Sequence, residues 1–118
     1  MVVHTLDEPR AVDRLFHALS DGTRRDIVTR TLQAEHSVSA LAHLYPMSFA
    51  AVQKHVAVLE GAQLVTKRRH GRQQLVSGNV DTVRRASRLL DELEAVWRGR
   101  LERFAEILAE EPTEGTPP

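Results

Sequence analysis

The sequence predicts a mostly α-helical fold carrying one small β-hairpin, and three observations predict it. Apolar residues recur at helical spacing over most of the chain. The period changes once, between Leu64 and Ser77, where two strand-length runs flank His70-Gly71. Caps and breakers stand at the joints, at Pro9, Asp21, Pro46, Ser48 and Gly78.

Residues 1–8 read as a flexible lead-in. Pro9 suits a first helical turn, and Ala11, Val12, Leu15, Phe16 and Leu19 make one apolar stripe. Ser20-Asp21-Gly22 breaks that helix. Asp21 is the expected N-cap of a second helix, from Thr23 to about Ala34, with Ile27, Val28, Thr31 and Leu32 facing inward. His36-Ser37-Val38 reads as a connection, and Ser39 as the cap of a brief third helix, Ala40 to Leu44, stopped by Pro46. Ser48 caps a fourth, about Phe49 to Glu60, burying Val52, Val56 and Leu59. The hairpin strands are 64–69 and 72–77, with Gly71 supplying a positive φ at the turn. A long helix runs from about Asp81 to Glu110, and Val83, Leu90, Leu93, Trp97, Leu101, Phe104 and Leu108 form a heptad-like seam along it. Residues 111–118 read as a disordered tail. The domain proper is thus expected at 9–110.

Composition narrows the function classes. A chain of 118 residues fits one domain. With no cysteine, disulfides, thiolate metal sites and cysteine nucleophiles are excluded. No apolar run approaches the length that spans a bilayer, and MVVHTLDEPR is not a signal peptide, so a cytoplasmic protein with no membrane partner is expected. Sixteen basic and sixteen acidic residues cancel, yet the charge is segregated. Residues 48–80 hold Lys54, Lys67, Arg68, Arg69 and Arg72 against Glu60 alone, a basic block able to meet a polyanion.

A short helix joined to another through Tyr45-Pro46-Met47-Ser48 is the layout of a helix-turn-helix, and the hairpin after it makes it winged. A helix about 10–12 Å across fits the ~12 Å major groove of B-form DNA. Ser48, Phe49, Ala50, Gln53, Lys54 and His55 occupy the first turns of the second of these helices, where side chains reach base edges. Gln53 suits adenine, Lys54 or His55 guanine or phosphate. Phe49 either reads a thymine methyl or covers the core edge. Lys67, Arg68, Arg69, His70 and Arg72 at the wing are expected on phosphates or in a narrow minor groove. Thr23, Arg24 and Arg25 begin the second helix, where they either meet phosphate or serve the helix start. One chain cannot easily cover both faces of the long helix. Its seam, with Val12, Leu15 and Phe16 of the first helix, is therefore expected to pack on a second copy.

Four stretches resemble the ArsR family of small dimeric repressors: Leu15 to Arg25, Val38 to Ala42, Met47 to Val56, and Leu64 to Arg72. The resemblance covers roughly residues 9–110. It implies a homodimeric transcriptional regulator, usually a repressor, on a palindromic operator in double-stranded DNA. The long last helix looks like the metal-independent branch often encoded beside START-domain-like proteins. The family's cysteine pair is replaced by Ala40-Leu41-Ala42-His43, and its Asp/His set on the last helix is missing, so no metal or other cofactor is expected. Gly22 stands where the family has Pro. Gln63 stands where it has Gly, with Gly61 two residues earlier, so either the recognition helix ends early or the helix-to-wing joint is strained. Two other readings stay open: a metal- or ligand-responsive repressor using His4 or His17 with carboxylates, and a winged-helix module for protein contact. No nucleophile-plus-base set, Walker loop or dinucleotide fingerprint is present, so an enzyme is not expected.

Overall fold

In the computed structural model, which describes residues 9–114, the first helix begins on Pro9 as expected. The flexible lead-in expected at residues 1–8 and the last four positions of the expected tail lie outside the described residues. The chain divides into two units, Met1–Ala86 and Ser87–Pro118. The first holds four helices, a small sheet and the opening turns of the long helix.

Helix α1 (Pro9–Leu19) buries Ala11, Leu15 and Ala18. Leu15, expected on a partner-facing surface, is only 1% exposed and belongs to the protomer's own core. Helix α2 (Gly22–Gln33) starts where Asp21 accepts the Arg24 backbone N–H at 3.0 Å, the expected cap. It buries Ile27, Val28 and Thr31, and the Thr31 hydroxyl is satisfied by donating to the Ile27 carbonyl at 2.7 Å. Leu32, expected inward, is 41% exposed. It lies over Gly78, whose missing Cβ would stand 2.7 Å from its Cγ.

The connection expected at 36–38 is instead strand β1 (His36–Ser37) followed by helix α3 (Val38–Ala42). Ser37, not Ser39, is the cap, and its hydroxyl accepts the Ala40 N–H at 3.0 Å. The helix begins early because the residues before it are held extended by pairing, His36 with Val76 and Ser37 with Leu75. Ser48 caps helix α4 (Phe49–Gly61) by accepting the Ala51 N–H at 3.1 Å. Strands β2 (Val65–His70) and β3 (Gln73–Gly78) form the hairpin, and the sheet order is β1-β3-β2, all antiparallel. The hairpin turns on Gly71, at φ 62°.

Tyr45 ties the helix-turn-helix to α2. Its hydroxyl donates to Asp26 Oδ2 at 2.6 Å, and the same oxygen receives Arg30 Nε at 2.8 Å. Burial and the Asp26 carboxylate push the Tyr45 phenol up to about 12. The Tyr45 and Arg30 hydrogen bonds hold Asp26 below its ordinary value.

The joint between α4 and β2 settles the alternative left by Gln63. Ala62 closes the helix, and Gln63 takes φ 62° in the left-handed region. The Leu64 N–H donates to the Leu59 carbonyl and the Gln63 N–H to the Glu60 carbonyl, both at 2.9 Å. This is a Schellman motif with glutamine where glycine is usual. Leu59 and Leu64, the apolar pair of that motif, are both fully buried. The helix does not end early, and the strain sits on Gln63.

Helix α5 (Val80–Glu114) opens on Asn79, whose Oδ1 accepts the Asp81 N–H at 3.2 Å. It runs past the expected end at Glu110. In the second unit the expected seam faces solvent: Leu90, Leu93, Trp97, Leu101, Phe104 and Leu108 are exposed, between 48% at Leu101 and 67% at Leu93. Val96 and Ile107, outside the expected heptad positions, widen this apolar face.

Two outcomes are expected in chemical denaturation. Gly61→Ala and Gln63→Gly should each raise stability by about 1 kcal/mol. The first fills a helical position with nothing within 4 Å of the new Cβ, and the second relieves the positive φ; a loss in either would contradict this account of the joint. Tyr45→Phe should cost about 1 kcal/mol near neutral pH, a modest figure because the Asp26 carboxylate is 45% exposed and screened. The Asp26 contribution is complete above its ordinary pKa of 3.8 and fades as pH falls through the lower folded value. The gap between variant and wild type should shrink there, and a gap independent of pH would speak against the charged hydrogen bond.

Candidate nucleic-acid interface

The exposed side of α4 begins at its first residue. Phe49 is 46% exposed, and Ala50, Gln53 and Lys54 are open to solvent. Ser48 stands at the cap with its hydroxyl on the Ala51 amide. His55 is half-buried and turned back toward α2, its Nδ1 accepting from Arg24 Nη1 at 3.2 Å.

The second-helix residues have defined tasks in the fold. Arg24 Nε donates to the Ala18 carbonyl at 2.8 Å and Nη2 to the His17 carbonyl at 3.1 Å. Arg25 Nη1 donates to the Leu19 carbonyl at 2.7 Å. The last carbonyls of a helix lack intrahelical partners and attract cations. The two arginines therefore close the end of α1, and Arg24 also braces α4 through His55. Thr23 is half-buried in the first turn of α2.

Register sorts the wing residues onto two faces. Lys67 and Arg69 share a face with their partners Val76 and Gln74, while Arg68 and His70 share the other with Leu75 and Gln73. Lys67 Nζ lies 3.3 Å from Glu60 Oε1 on α4. Arg68 is held by both oxygens of Glu35, with Nε at 3.0 Å from Oε2 and Nη2 at 2.9 Å from Oε1. The Ser77 hydroxyl donates to the same carboxylate at 2.9 Å. The Arg68 and Ser77 hydrogen bonds hold the Glu35 carboxyl below its ordinary value, and Glu35 in turn raises Arg68.

The expectation that Arg68 stands ready for phosphate therefore meets a different geometry. Its fork is already filled by a carboxylate from 33 residues away. Glu35 was missed by sequence reasoning, since nothing local marks a lone acid before a two-residue strand. Among the described residues, Lys54, Arg69 and Arg72 make no ion pair.

Between the starts of α3 and α4 and the wing runs a groove of about 330 Å³, lined by Val38, Ser39, Phe49, Gln53, Val56, Lys67, Arg72, Gln73 and Gln74. The fold thus brings Phe49 and Gln53 of α4 and Arg72 of the hairpin turn to one surface. Among the described residues, no group of three or more His, Cys, Asp or Glu is placed to hold a metal ion. No helix among them is long and apolar enough to cross a membrane. His17 is exposed on α1, and His4 lies outside the described residues.

No family model matches the chain. It is 35% identical over 102 residues to an HTH-type transcriptional regulator of Mycobacterium tuberculosis, spanning 86% of this chain and 92% of the relative. An ArsR-like transcriptional regulator from Rhodococcus sp. RHA1 superposes over 93% of this chain and 98% of its own, with a TM-score of 0.78 at 31% identity. The homodimeric winged helix-turn-helix DNA-binding domain of a possible ArsR-family regulator from Mycobacterium bovis, solved by NMR, superposes over 80% of this chain and 84% of its own, with a TM-score of 0.59 at 27% identity. The chain belongs to the ArsR family of winged helix-turn-helix, DNA-binding transcriptional regulators.

Proposed function

We propose that this regulator is a cytoplasmic repressor that binds a palindromic operator as a homodimer. The observation that carries the reading is the groove that brings Phe49 and Gln53 of α4 together with Arg72 of the wing, while Lys54 on α4 and Arg69 on β2 make no ion pair among the described residues. Arg69, Arg72 and Lys54 meet phosphates and supply salt-dependent affinity. Gln53 reads a base edge, adenine by preference, and Phe49 packs on a thymine methyl. Ala50, with its short side chain, lets α4 approach the groove, and Ser48 keeps the helix start rigid. His70 adds to the wing edge. Arg24, Arg25 and Thr23 act from behind, fixing α1, α2 and α4. No cofactor enters this mechanism.

The second half of the reading is the dimer. Leu90, Leu93, Trp97, Leu101, Phe104 and Leu108 form an apolar face on a helix about 50 Å long. Most helical stability in proteins comes from packing such a face. A second copy supplies the cover, and the half-buried Val12 and Phe16 of α1 add to the same interface. Two recognition helices are then set about 34 Å apart, one DNA turn. Binding across a promoter occludes it, which is repression.

Gln53→Ala with Lys54→Ala should leave the circular dichroism spectrum unchanged. The pair should also lower preference for a duplex selected from a random pool by tenfold or more, given about 1–3 kcal/mol per bidentate base contact. Retained preference would remove α4 from the base-reading role. Leu93→Glu with Leu101→Glu should give monomers in sedimentation, and an unchanged dimer would place the interface elsewhere.

A further inference from the structure

We propose that Glu35 is a charge-masking and positioning residue of the wing: it withholds Arg68 from the nucleic acid and pins β2 and β3 to the chain entering β1. The carboxylate fills the Arg68 fork with two hydrogen bonds, at 2.9 and 3.0 Å, in the bidentate geometry that a guanidinium would otherwise offer to a phosphate. Its Oε2 also takes the Ser77 hydroxyl at 2.9 Å. Ser77 and Arg68 share one sheet face by register, since Thr66 pairs with Ser77 and Arg68 with Leu75. One acid next to β1 thus grips both strands of the hairpin.

The consequence is electrostatic. Residues 48–80 present five cations in sequence. Glu60 holds Lys67 and Glu35 holds Arg68, so among the described residues Lys54, Arg69 and Arg72 are the cations of this block without a carboxylate partner. Each cation that does reach a phosphate adds about 0.9 to the slope of log affinity against log salt, for any sequence. Withholding one therefore lowers affinity for all duplexes without touching base contacts, and the share of binding that depends on sequence rises.

The proposal rests on the wing-to-backbone reading above, and one titration series separates the two. The full chain is titrated with a mixed-sequence duplex over a range of salt. Glu35→Gln frees Arg68, so the slope steepens by about 0.9 per wing and low-salt binding tightens. Glu35→Gln with Arg68→Gln returns the slope to the wild-type value. Arg68→Gln alone, which does not depend on the folding of a Glu35 variant, leaves the slope unchanged. Arg69→Gln with Arg72→Gln flattens it by about 1.8 per wing. An unchanged slope in well-folded Glu35→Gln, or a slope flattened by about 0.9 per wing in Arg68→Gln, means that Arg68 is not masked and overturns the proposal. A normal slope in the Arg69 and Arg72 variant takes away the wing-to-backbone reading itself, and the proposal with it.

Discussion

The structure depends on one backbone reversal, the left-handed turn at Gln63 that converts α4 into β2. Leu59 before it and Leu64 after it are both fully buried, so the reversal is closed by apolar packing as well as by hydrogen bonds. Asn79 clamps it from the other side. Its Nδ2 donates to the Gln63 carbonyl at 3.0 Å and to Thr82 Oγ1 at 3.1 Å, and its backbone N–H donates to the Leu64 carbonyl at 2.9 Å. The end of the recognition helix, the start of the wing and the start of α5 therefore meet at one point. A glycine there would make the turn at less cost, and the burial around it explains why glutamine is tolerated.

From that joint the interface follows. The angle it sets leaves the first turns of α4 and the tip of the hairpin on either side of one groove. Carboxylates hold some of the cations nearby. Glu60 and Glu35 each hold one wing cation, and Asp26 holds Arg30 and Tyr45 behind the turn. These pairs are exposed and individually weak. Their effect is on position and on the count of free charges, which is what matters on meeting a polyanion.

Much of this was legible in the sequence because the signals were local. Pro9, Asp21, Ser48 and Gly71 each stand within four residues of the backbone they control, and each does what its chemistry implies. The features that escaped have partners far away. Two residues of β1 carry no period, and their extended state comes from pairing with Leu75 and Val76. Leu32 reads as buried until Gly78 is seen to offer it only a shallow seat. Arg24 and Arg25 look like helix-start residues, but their side chains reach back to the carbonyls of α1. The Glu35–Arg68 pair bridges 33 positions, so the basic run reads as freer than it is. The seam on α5 was legible as a pattern, while its full width, with Val96 and Ile107, emerged only from the helix surface.

The central claim is that duplex DNA lies across the start of α4 and the edge of the wing. Backbone amide shifts of the isotopically labelled chain, followed by NMR during titration with duplex DNA at low salt, test it most directly. The account predicts that the largest changes gather at Phe49 to Lys54 and at Arg69 to Gln74, on both sides of the groove. Changes confined to other surfaces, or a duplex that leaves every resonance in place at low salt, would contradict it.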